Sequence, residues 1–306
     1  MTAPEWITKY EEYLTLVKGR AINTVRAYIK DIQLLQRFFN LAPWEDFTED
    51  NAVTYLRYLK ASYKDSGGAR KIYALRGFFK WLRQHQVITL DPWEDVEPKR
   101  YDRKLPQVLS VEEMNRLLGT IRIEVRALAG LPTKETFLTF RDRAIIETLY
   151  AGALRVSECC NLQWSQIDFA KRELRVLHGK GNRNRVVPLG QYAIDALLEY
   201  QPHYEAHWQR KAEGERPVFL SLWDRRILTR SISRVINRWV SRAGIKKHVN
   251  PHMFRHSAAT HLLESGMDIR VIQQLLGHAS IMTTEIYARV GTKKLKSEYA
   301  NHHPRA

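Results

Sequence analysis

The N-terminal part of the chain repeats apolar residues at helical spacing and shows no alternating pattern typical of strands. Three or four such segments lie between Trp6 and about Gln84. Asn23 and Thr24 are predicted to cap the segment VRAYIKDIQLLQRFF, because short polar side chains accept hydrogen bonds from the first helical N–H groups. Its apolar stripe consists of Val25, Tyr28, Ile32, Leu35 and Phe39. The pattern predicts an all-α domain over residues 1–90.

Two more helices are predicted in the second half of this domain. The first covers Glu49–Leu59, and the glycine-containing stretch DSGGA, Asp65–Ala69, predicts a turn before RKIYALRGFFKWLRQ. The apolar face of this last segment consists of Ile72, Leu75, Phe79 and Leu82. Its other faces carry candidates for contacts with DNA phosphates, namely Arg70, Lys71, Arg76 and Lys80. An ordinary solvated face explains the same pattern equally well.

A charged segment without periodicity separates this domain from a larger one. Its sequence, DPWEDVEPKRYDRKLPQV, contains Pro92, Pro98 and Pro106. We therefore assign residues 91–107 to a linker. Beyond it, Ser110 is followed three residues later by Glu113, a spacing that predicts a capping box at the start of a helix. The second domain accordingly covers residues 108–306.

The larger domain combines helical segments with a short hairpin. RDRAIIETLYAGAL has a helical pattern. Farther on, Glu173–Leu177 and Arg185–Leu189 are predicted as two strands around a turn at 179–184 that contains Gly and Asn. These patterns predict a mainly α domain with a small antiparallel β-sheet.

One helical segment of this domain, LTRSISRVINRWVSRAG, spaces its arginines four residues apart. The row consists of Arg230, Arg234, Arg238 and Arg242. The inward face of the same helix consists of Ile232, Val235, Ile236 and Trp239. Such a row follows one side of a helix and could track a phosphate backbone. The alternative is a solvated face, although like charges at this spacing are mildly destabilising.

The overall charge favours a polyanionic partner. The chain has 306 residues, of which 44% are hydrophobic, and a formal net charge of +16 at pH 7. Through residue 105 there are 18 basic and 14 acidic residues, and after it 31 and 19, so the two parts contribute +4 and +12. Most of the excess positive charge therefore lies in the larger domain. Nucleic acid is the favoured partner, and a role in solubility alone is the alternative.

Cysteine usage and hydropathy indicate a soluble, cytoplasmic protein that does not contact a membrane. The only cysteines, Cys159 and Cys160, are adjacent and cannot link distant segments, which fits a reducing compartment. No apolar run approaches the roughly 18 residues of a membrane span. The first twenty residues contain three glutamates where a signal peptide would be apolar.

The residues that suggest chemistry are concentrated in the larger domain. Six of them are Arg155, Lys180, His252, Arg255, His278 and Tyr287. An arginine presents a planar fork of donors that matches two phosphate oxygens, and a tyrosine can act as a covalent nucleophile. Glu158, one turn after Arg155, could hold its guanidinium. Each residue alone has an ordinary structural explanation, so the inference depends on their joint spacing.

Five motifs in this order resemble the tyrosine recombinase (phage-integrase) family. They are the arginine of ALRVSE, the lysine of GKGNRNRVVPL, H-x-x-R-H, LLGH and TTEIYARV. The helix-rich first part, the proline-containing linker and the ending HHPRA are most similar to the Xer branch. The resemblance implies an all-α, SAM-like core-binding domain and a mainly α catalytic domain with a small antiparallel sheet. The two would close as a C-clamp around duplex DNA.

The resemblance also implies a reaction that requires neither a metal nor another cofactor. Tyr287 would attack the scissile phosphodiester, form a 3′-phosphotyrosine and release a 5′-hydroxyl, so the bond energy is retained without ATP. Lys180 would protonate the departing 5′-oxygen as general acid. Surrounding cations would assist the nucleophile, since an unassisted tyrosine has a pKa of about 10.

The remaining motif residues would stabilise the reacting phosphate. Arg155 and Arg255 would bind its non-bridging oxygens, and His278 would donate another hydrogen bond as charge develops. His252 would assist proton transfer or orient the nucleophile. Glu158 would support Arg155 from behind.

Several partners follow from the same resemblance. They are a specific double-stranded DNA site, a homo-tetramer on two such sites or a hetero-tetramer with a paralogue, and an activating DNA translocase. The run GTKKLKSEYANHH after Tyr287 has helical character and would dock on a neighbouring subunit. Strand exchange through a Holliday junction would then resolve chromosome or plasmid dimers. A mobile-element or phage integrase is the alternative within the family.

Three other activities fit parts of the sequence. A type IB topoisomerase uses the same chemistry, but the domain order and the C-terminal ending favour recombination. A metal-dependent hydrolase would use His252, His256 and His261, although no carboxylate lies at the usual spacing. A catalytically inactive DNA-binding accessory protein is the non-enzymatic alternative. The chain also departs mildly from the family at Ala153, usually glycine, and at Phe254, more commonly leucine.

Overall fold

The chain forms two compact units, Met1–Lys104 and Leu105–Ala306. The structure, a computed structural model, describes residues 2–98, 107–177, 184–208, 216–277 and 292–305. Within these residues, no helix is both long and apolar enough to cross a membrane.

The N-terminal unit is all-helical over its described residues. Its α-helices are α1 (Ala3–Glu12), α2 (Ile22–Phe38), α3 (Glu49–Ser62) and α4 (Asp65–Gln84). A turn of π-helix, Tyr13–Val17, extends α1, and a short 3₁₀ turn, Trp44–Asp46, precedes α3. The predicted apolar stripes of α2 and α4 face a shared core. The prediction of an all-α domain is thus confirmed.

The predicted start of α2 at Val25 is wrong by three residues. The helix begins at Ile22, and the cap position belongs to Ala21, which makes no side-chain cap hydrogen bond. The carbonyl of Ala21 accepts from the N–H groups of Thr24 and Val25 at 2.8 and 3.1 Å. Asn23 and Thr24 therefore lie inside the first turn. Burial of the apolar stripe along α2 fixes the register more strongly than a local cap does.

The turn predicted at Asp65–Ala69 is also wrong. Helix α4 begins at Asp65, and the N–H groups of Gly67 and Gly68 bond to the Lys64 carbonyl at 2.9 and 3.0 Å. Each glycine costs about 1 kcal/mol of helix propensity relative to alanine. The long buried face of α4 offsets this cost, and an acidic residue in the first turn suits the positive end of the helix dipole.

The core of the N-terminal unit includes a tryptophan from the predicted linker. Trp93 is fully buried, and its ring centroid lies 6.3 Å from those of both Tyr55 and Phe79. The adjacent Glu94 forms an ion pair with Arg83 of α4. Residues 91–98 thus pack against this unit, whereas 99–106 lie outside the described residues.

The larger unit is mainly helical with one small sheet. Its helices are α5 (Val111–Leu128), α6 (Lys134–Ala151), α7 (Val156–Cys160), α8 (Gln191–His207), α9 (Thr229–Arg242), α10 (Pro251–Glu264), α11 (Ile269–Leu276) and α12 (Thr292–His302). The strands are β1 (Ile167–Asp168), β2 (Glu173–Val176) and β3 (Arg185–Pro188), antiparallel in the order β1-β2-β3. The two predicted strands and their antiparallel pairing are confirmed, and β1 is an unpredicted two-residue addition. Of the turn predicted at 179–184, residues 179–183 lie outside the described residues.

Helix α5 begins with the predicted capping box. Ser110 Oγ accepts from the Glu113 N–H at 3.2 Å, and the Glu113 carboxylate accepts from the Ser110 N–H at 2.8 Å. The chain just before it is fixed to α10, because the Leu109 N–H donates to Ser257 Oγ at 2.8 Å. The entrance to the larger unit is therefore tied to the helix that carries His252 and Arg255.

Helix α6 is the central element of the larger unit. All its residues from Thr136 to Ala151 are buried except the half-buried Leu138. It packs against α5, α8 and α10. Because its charged side chains cannot reach water, they are paired, as in the ion pair between Arg141 and Asp142 at 2.8 Å.

The C-terminal segment packs on its own unit. Tyr299 of α12 is buried, donates to the Ala151 carbonyl at 3.1 Å and accepts from the Gly190 N–H at 3.2 Å. After the helix, Arg305 forms a buried ion pair with Glu147 of α6. The predicted helical character of this segment is confirmed, and in the single chain its contacts are internal.

Candidate active site

Arg155 stands at a constrained turn between α6 and α7. Ala153 has a φ of +44°, in the left-handed region that disfavours side chains, so the departure from the family's usual glycine falls where glycine would be relaxed. Arg155 is the N-cap residue of α7. The turn therefore fixes the backbone from which the guanidinium extends.

Glu158 holds Arg155 as predicted, and it also holds a second arginine that the prediction missed. Its carboxylate accepts from the Arg155 N–H at 2.8 Å and from Arg155 Nη1 at 2.7 Å. Arg185 at the start of β3 donates to both carboxylate oxygens, at 2.9 and 2.8 Å. Burial alone would raise the pKa of Glu158, but the hydrogen bonds and charge of Arg185, together with Arg155, lower that pKa to about 2. Glu158 is therefore ionised at neutral pH.

Arg255 lies in the first turns of α10, beside Arg155. Asn250 caps this helix by accepting from the N–H groups of His252 and Met253 at 3.0 and 3.2 Å. Arg255 is only 6% exposed, donates from Nη1 to the Ala153 carbonyl at 2.8 Å and donates from Nη2 to the Leu276 carbonyl. Burial, followed by the charges of Arg155 and Arg185, lowers the pKa of Arg255 to about 10. An anion bound nearby would therefore strongly stabilise the charged form of Arg255.

The C-terminal end of α11 joins three arginines. Successive carbonyls accept from different guanidinium groups: Leu275 from Arg185 at 2.9 Å, Leu276 from Arg255, and Gly277 from Arg155 at 3.5 Å. These carbonyls form the negative end of the helix dipole, which offsets part of the repulsion among the cations. Glu158 binds two of them, Arg155 and Arg185, so the three arginines leave a local excess of positive charge suited to an anionic group.

The structure brings together only part of the predicted site. Arg155 and Glu158 are hydrogen-bonded to each other, and Arg255 donates to the nearby Ala153 and Leu276 carbonyls. The exposed His252 lies on the same helix as Arg255. Lys180, His278 and Tyr287 lie outside the described residues. In the sequence, Lys180 falls between β2 and β3, and His278 directly follows Gly277.

Arg185 is the functional candidate that the sequence did not identify. Its partners Glu158 and Leu275 lie 27 and 90 residues away in the chain, so no local spacing relates them. The sequence feature that could have identified Arg185 is its position directly before the apolar run VVPL in a predicted strand. A buried charge at such a position requires a partner.

The three histidines considered as metal ligands, His252, His256 and His261, differ in their surroundings. His261 Nε2 lies 2.8 Å from the Leu109 carbonyl, which can only accept, so Nδ1 is the acceptor for the Tyr150 hydroxyl at 2.8 Å. Both ring nitrogens of His261 are thus occupied, whereas His252 and His256 are exposed. No group of three or more metal-ligating side chains occurs within the described ranges. His261 fits the role of a core histidine.

The basic residues of α4 fall into two groups. Arg70 and Lys71 both pair with Asp31 of α2, and the Lys71 ammonium lies 2.7 Å from its carboxylate. Lys71 is only 7% exposed, so its charge faces the interior and it is removed from the DNA-contact candidates. Arg76 is half-buried, and Lys80 is exposed.

The arginine row on α9 divides in the same way. The inward residues Ile232, Val235, Ile236 and Trp239 are buried as predicted. Arg238 pairs with the buried Asp142, and Arg242 lies 3.7 Å from Glu124 and 5.0 Å from the centroid of Trp239. Arg230 and Arg234 are exposed, and neither has an ion-pair partner in the part of the chain that the structure describes. These two are the available cations of the row.

Comparison with known proteins gives the same organisation. Residues 7–86 match the phage integrase N-terminal SAM-like domain, and residues 107–294 match the phage integrase family. Tyrosine recombinase XerC of Lacticaseibacillus casei is 36% identical over 305 residues, covering 98% of both chains. Tyrosine recombinase XerC of Pediococcus pentosaceus is 35% identical over 310 residues, covering 99% of both.

A solved structure extends the comparison to the fold. The crystal structure of a λ integrase tetramer bound to a Holliday junction matches 92% of this chain and 76% of its own, with a TM-score of 0.67 and 21% sequence identity. At this identity the match bears on architecture: a SAM-like N-terminal domain and a mainly helical catalytic domain with a small antiparallel sheet. The family match over residues 107–294 and the near full-length relatives establish that the chain belongs to the phage integrase family and is a site-specific tyrosine recombinase of the Xer type.

Proposed function

We propose that Tyr287 is the nucleophile of this recombinase and that Arg155 and Arg255 bind the scissile phosphate. The observation that carries this proposal is the convergence of both arginines on the end of α11, where the chain leads into His278. Attack by the Tyr287 oxygen breaks the bond to the 5′-oxygen and forms a 3′-phosphotyrosine. Rejoining reverses the step when a 5′-hydroxyl of the exchanged strand attacks that link.

The chain's other residues would supply charge stabilisation and protons. Arg155 and Arg255 stabilise the negative charge that develops on the non-bridging oxygens, and His278 adds a donor. Lys180 protonates the departing 5′-oxygen, while His252 assists proton transfer or orients the nucleophile. Glu158 keeps Arg155 in place through its two hydrogen bonds. None of these steps requires a metal or another cofactor.

The proposed partner is a specific duplex DNA site, contacted by cations of both units. Exposed cations of α4 and α9 support this role, foremost Lys80, Arg230 and Arg234. Arg70, Arg76, Arg238 and Arg242 are further candidates, although each makes a contact within the chain. Because the partner is genomic DNA, we place the protein in the cytoplasm.

The proposed active assembly is a tetramer on two DNA sites. The matched λ integrase structure is such a tetramer on a Holliday junction, which supports the same assembly here. It would be a homo-tetramer or a hetero-tetramer with a paralogue, with a DNA translocase as activator. Docking of residues 292–306 on a neighbour would require the contacts of Tyr299 and Arg305 within their own unit to be released.

The biological outcome that we propose is resolution of chromosome or plasmid dimers. The near full-length similarity to two XerC recombinases supports this role over integration of a mobile element or phage. Strand exchange between two sites separates either role from a type IB topoisomerase, which would relax supercoils without exchanging partners.

The decisive experiment uses a nicked duplex that traps the cleaved strand. Wild-type protein should form an adduct with DNA that survives denaturation, and Tyr287→Phe should form none while binding DNA with unchanged affinity. Tyr192→Phe is the matched control, because Tyr192 is an exposed tyrosine of the same unit.

Two results would count against this assignment. An adduct with Tyr287→Phe would show that another residue is the nucleophile. Binding without an adduct in the wild type, even with a paralogue present, would favour the inactive accessory protein. Adduct formation in a strong chelator would in turn exclude a metal-dependent hydrolase.

A further inference from the structure

We propose that Arg185 is a positioning residue for DNA cleavage, which aims Arg155 through Glu158 and fixes the end of α11 that leads to His278. The inference deepens the proposed function and rests on its assignment of Arg155 to the scissile phosphate. Arg185 would not touch the DNA itself.

The hydrogen bonds of Arg185 explain why it acts through other residues. Nε donates to the Leu275 carbonyl at 2.9 Å, while Nη1 and Nη2 donate to the two oxygens of Glu158 at 2.9 and 2.8 Å. The side chain is 10% exposed. All three guanidinium nitrogens are therefore engaged within the chain, in a bidentate geometry that lysine cannot reproduce.

The shared carboxylate transmits the position of Arg185 to Arg155. Because Arg185 binds both Glu158 oxygens, the carboxylate cannot rotate, and Arg155 Nη1 meets Oε1 in one orientation, at 2.7 Å. This orientation leaves Arg155 Nη2 directed toward the Gly277 carbonyl, 3.5 Å away. Without Arg185, Glu158 would follow Arg155 alone, and the guanidinium would lose its fixed direction.

Gly277 shows how closely the α11 end fits Arg185. A Cβ at Gly277 would lie 2.9 Å from Arg185 Cδ and 3.3 Å from Nε, closer than carbon atoms pack. Gly277 also has a φ of +59°, which favours glycine. The chain thus passes directly over the aliphatic part of Arg185 just before His278.

The position of Arg185 in the sheet adds a third connection. Arg185 is paired with Val176 across β2 and β3, and the segment between these paired residues contains Lys180. The Arg185 side chain therefore contacts Glu158 and α11. The Arg185 backbone lies at the C-terminal end of the segment between β2 and β3, which contains Lys180.

The test compares Arg185 with another buried arginine of the same unit. Arg143 is 8% exposed at its side chain and pairs with Glu199, so Arg143→Gln is a matched control for the loss of an internal ion pair. Single-turnover cleavage of the nicked duplex is measured at saturating protein, together with DNA affinity and thermal stability. Arg185→Gln should cleave about 100-fold more slowly, within the range for loss of a preorganised charge contact, with DNA affinity changed by no more than about threefold. Arg143→Gln should cleave at the wild-type rate.

Two further variants separate positioning from a general structural role. Arg185→Lys keeps the charge but loses the planar fork of donors, so its cleavage rate should exceed that of Arg185→Gln by less than about tenfold. If Arg185→Gln does not fold, Arg185→Lys takes its place in the same test. In an Arg155→Ala background, Arg185→Gln should add no more than about a tenfold further loss, because the effect that passes through Arg155 is already removed and only the contact with the α11 end remains to be lost. Multiplication of the two losses would mean that Arg185 acts independently of Arg155 and would overturn the inference.

The outcomes also distinguish this inference from the proposed function. If the wild type forms the adduct, Tyr287→Phe does not, and Arg185→Gln cleaves like the wild type, only the role of Arg185 is refuted. If Arg143→Gln is as slow as Arg185→Gln, loss of any buried ion pair explains the effect, which also refutes positioning. An adduct that forms with Tyr287→Phe would instead refute the proposed function.

Discussion

Two buried glutamates of the larger unit, Glu158 and Glu147, are both paired with arginine yet have opposite pKa shifts. Glu158 accepts four hydrogen bonds from Arg155 and Arg185, and their hydrogen bonds and charges overcome burial to bring its pKa to about 2. Glu147 is paired with Arg305 alone, and burial raises its pKa despite that pair. The number of hydrogen bonds that each carboxylate accepts, weighed against its burial, decides the sign.

This difference distinguishes a candidate anion-binding site around Glu158 from a purely structural ion pair at Glu147. Around Glu158 there are three arginines for one carboxylate, so positive charge remains for an anionic ligand. Glu147 forms an ion pair with Arg305 alone, and this balanced pair attaches the C-terminal segment to α6. An ion pair stabilises little once its desolvation is counted, but breaking it leaves an uncompensated buried charge.

The largest effect should follow from removing the cation of the balanced pair. Arg305→Ala leaves Glu147, which is 1% exposed, without its partner and should lower the free energy of unfolding by about 3–5 kcal/mol. Urea denaturation at pH 7 measures this loss. The double variant Glu147→Leu/Arg305→Met should recover most of it, because no charge is left buried. A small loss in Arg305→Ala would show that Glu147 takes up a proton or reaches water when unpaired.

The helices that the chain forms were largely predictable, whereas the contacts of the site were not. The apolar stripe of α9 and the Ser110–Glu113 box depend on residues three or four apart, so their spacing in the sequence was sufficient. The start of α4 was missed because its buried face outweighs two glycines. The roles of Trp93 and Arg185 depend on partners far away in the chain, and no periodicity reports such contacts.

An intermediate effect is expected from the pH dependence of the two carboxylates. The pKa of Glu158 is lowered in the folded state, so its stabilisation is present above pH 4.5 and is lost as the pH falls toward about 2. The pKa of Glu147 is raised, so its contribution is present below pH 4.5 and is lost as the pH rises.

Unfolding measured between pH 5 and pH 3 should therefore separate the two sites. The loss of stability over this interval should be smaller in Glu158→Gln than in the wild type by on the order of 1 kcal/mol, a value that allows for solvent screening. Glu147→Gln should make the loss larger, because it removes the opposing contribution. Equal losses in all three proteins would contradict the assigned directions.

The smallest effect extends the contrast between compensated and uncompensated arginines to α9. Arg234→Gln should flatten the dependence of log affinity on log salt by about 0.9, because an exposed arginine releases a counterion when it binds a phosphate. Arg238→Gln should change this slope less, because Arg238 already pairs with Asp142. Salt titrations of DNA binding measure both slopes. A larger change for Arg238 would show that its ion pair opens on DNA.

The end of α11 couples the three arginines of the proposed cleavage site. Three successive carbonyls each accept from a different arginine, so fraying of a single helical turn would remove a hydrogen bond from all three guanidinium groups at the same time. Glu158 and the Ala153 carbonyl would still hold them, but their alignment would loosen together. For an enzyme that leaves a DNA strand covalently interrupted in mid-reaction, local unfolding there would prevent the first cut and so protect the DNA from being left open.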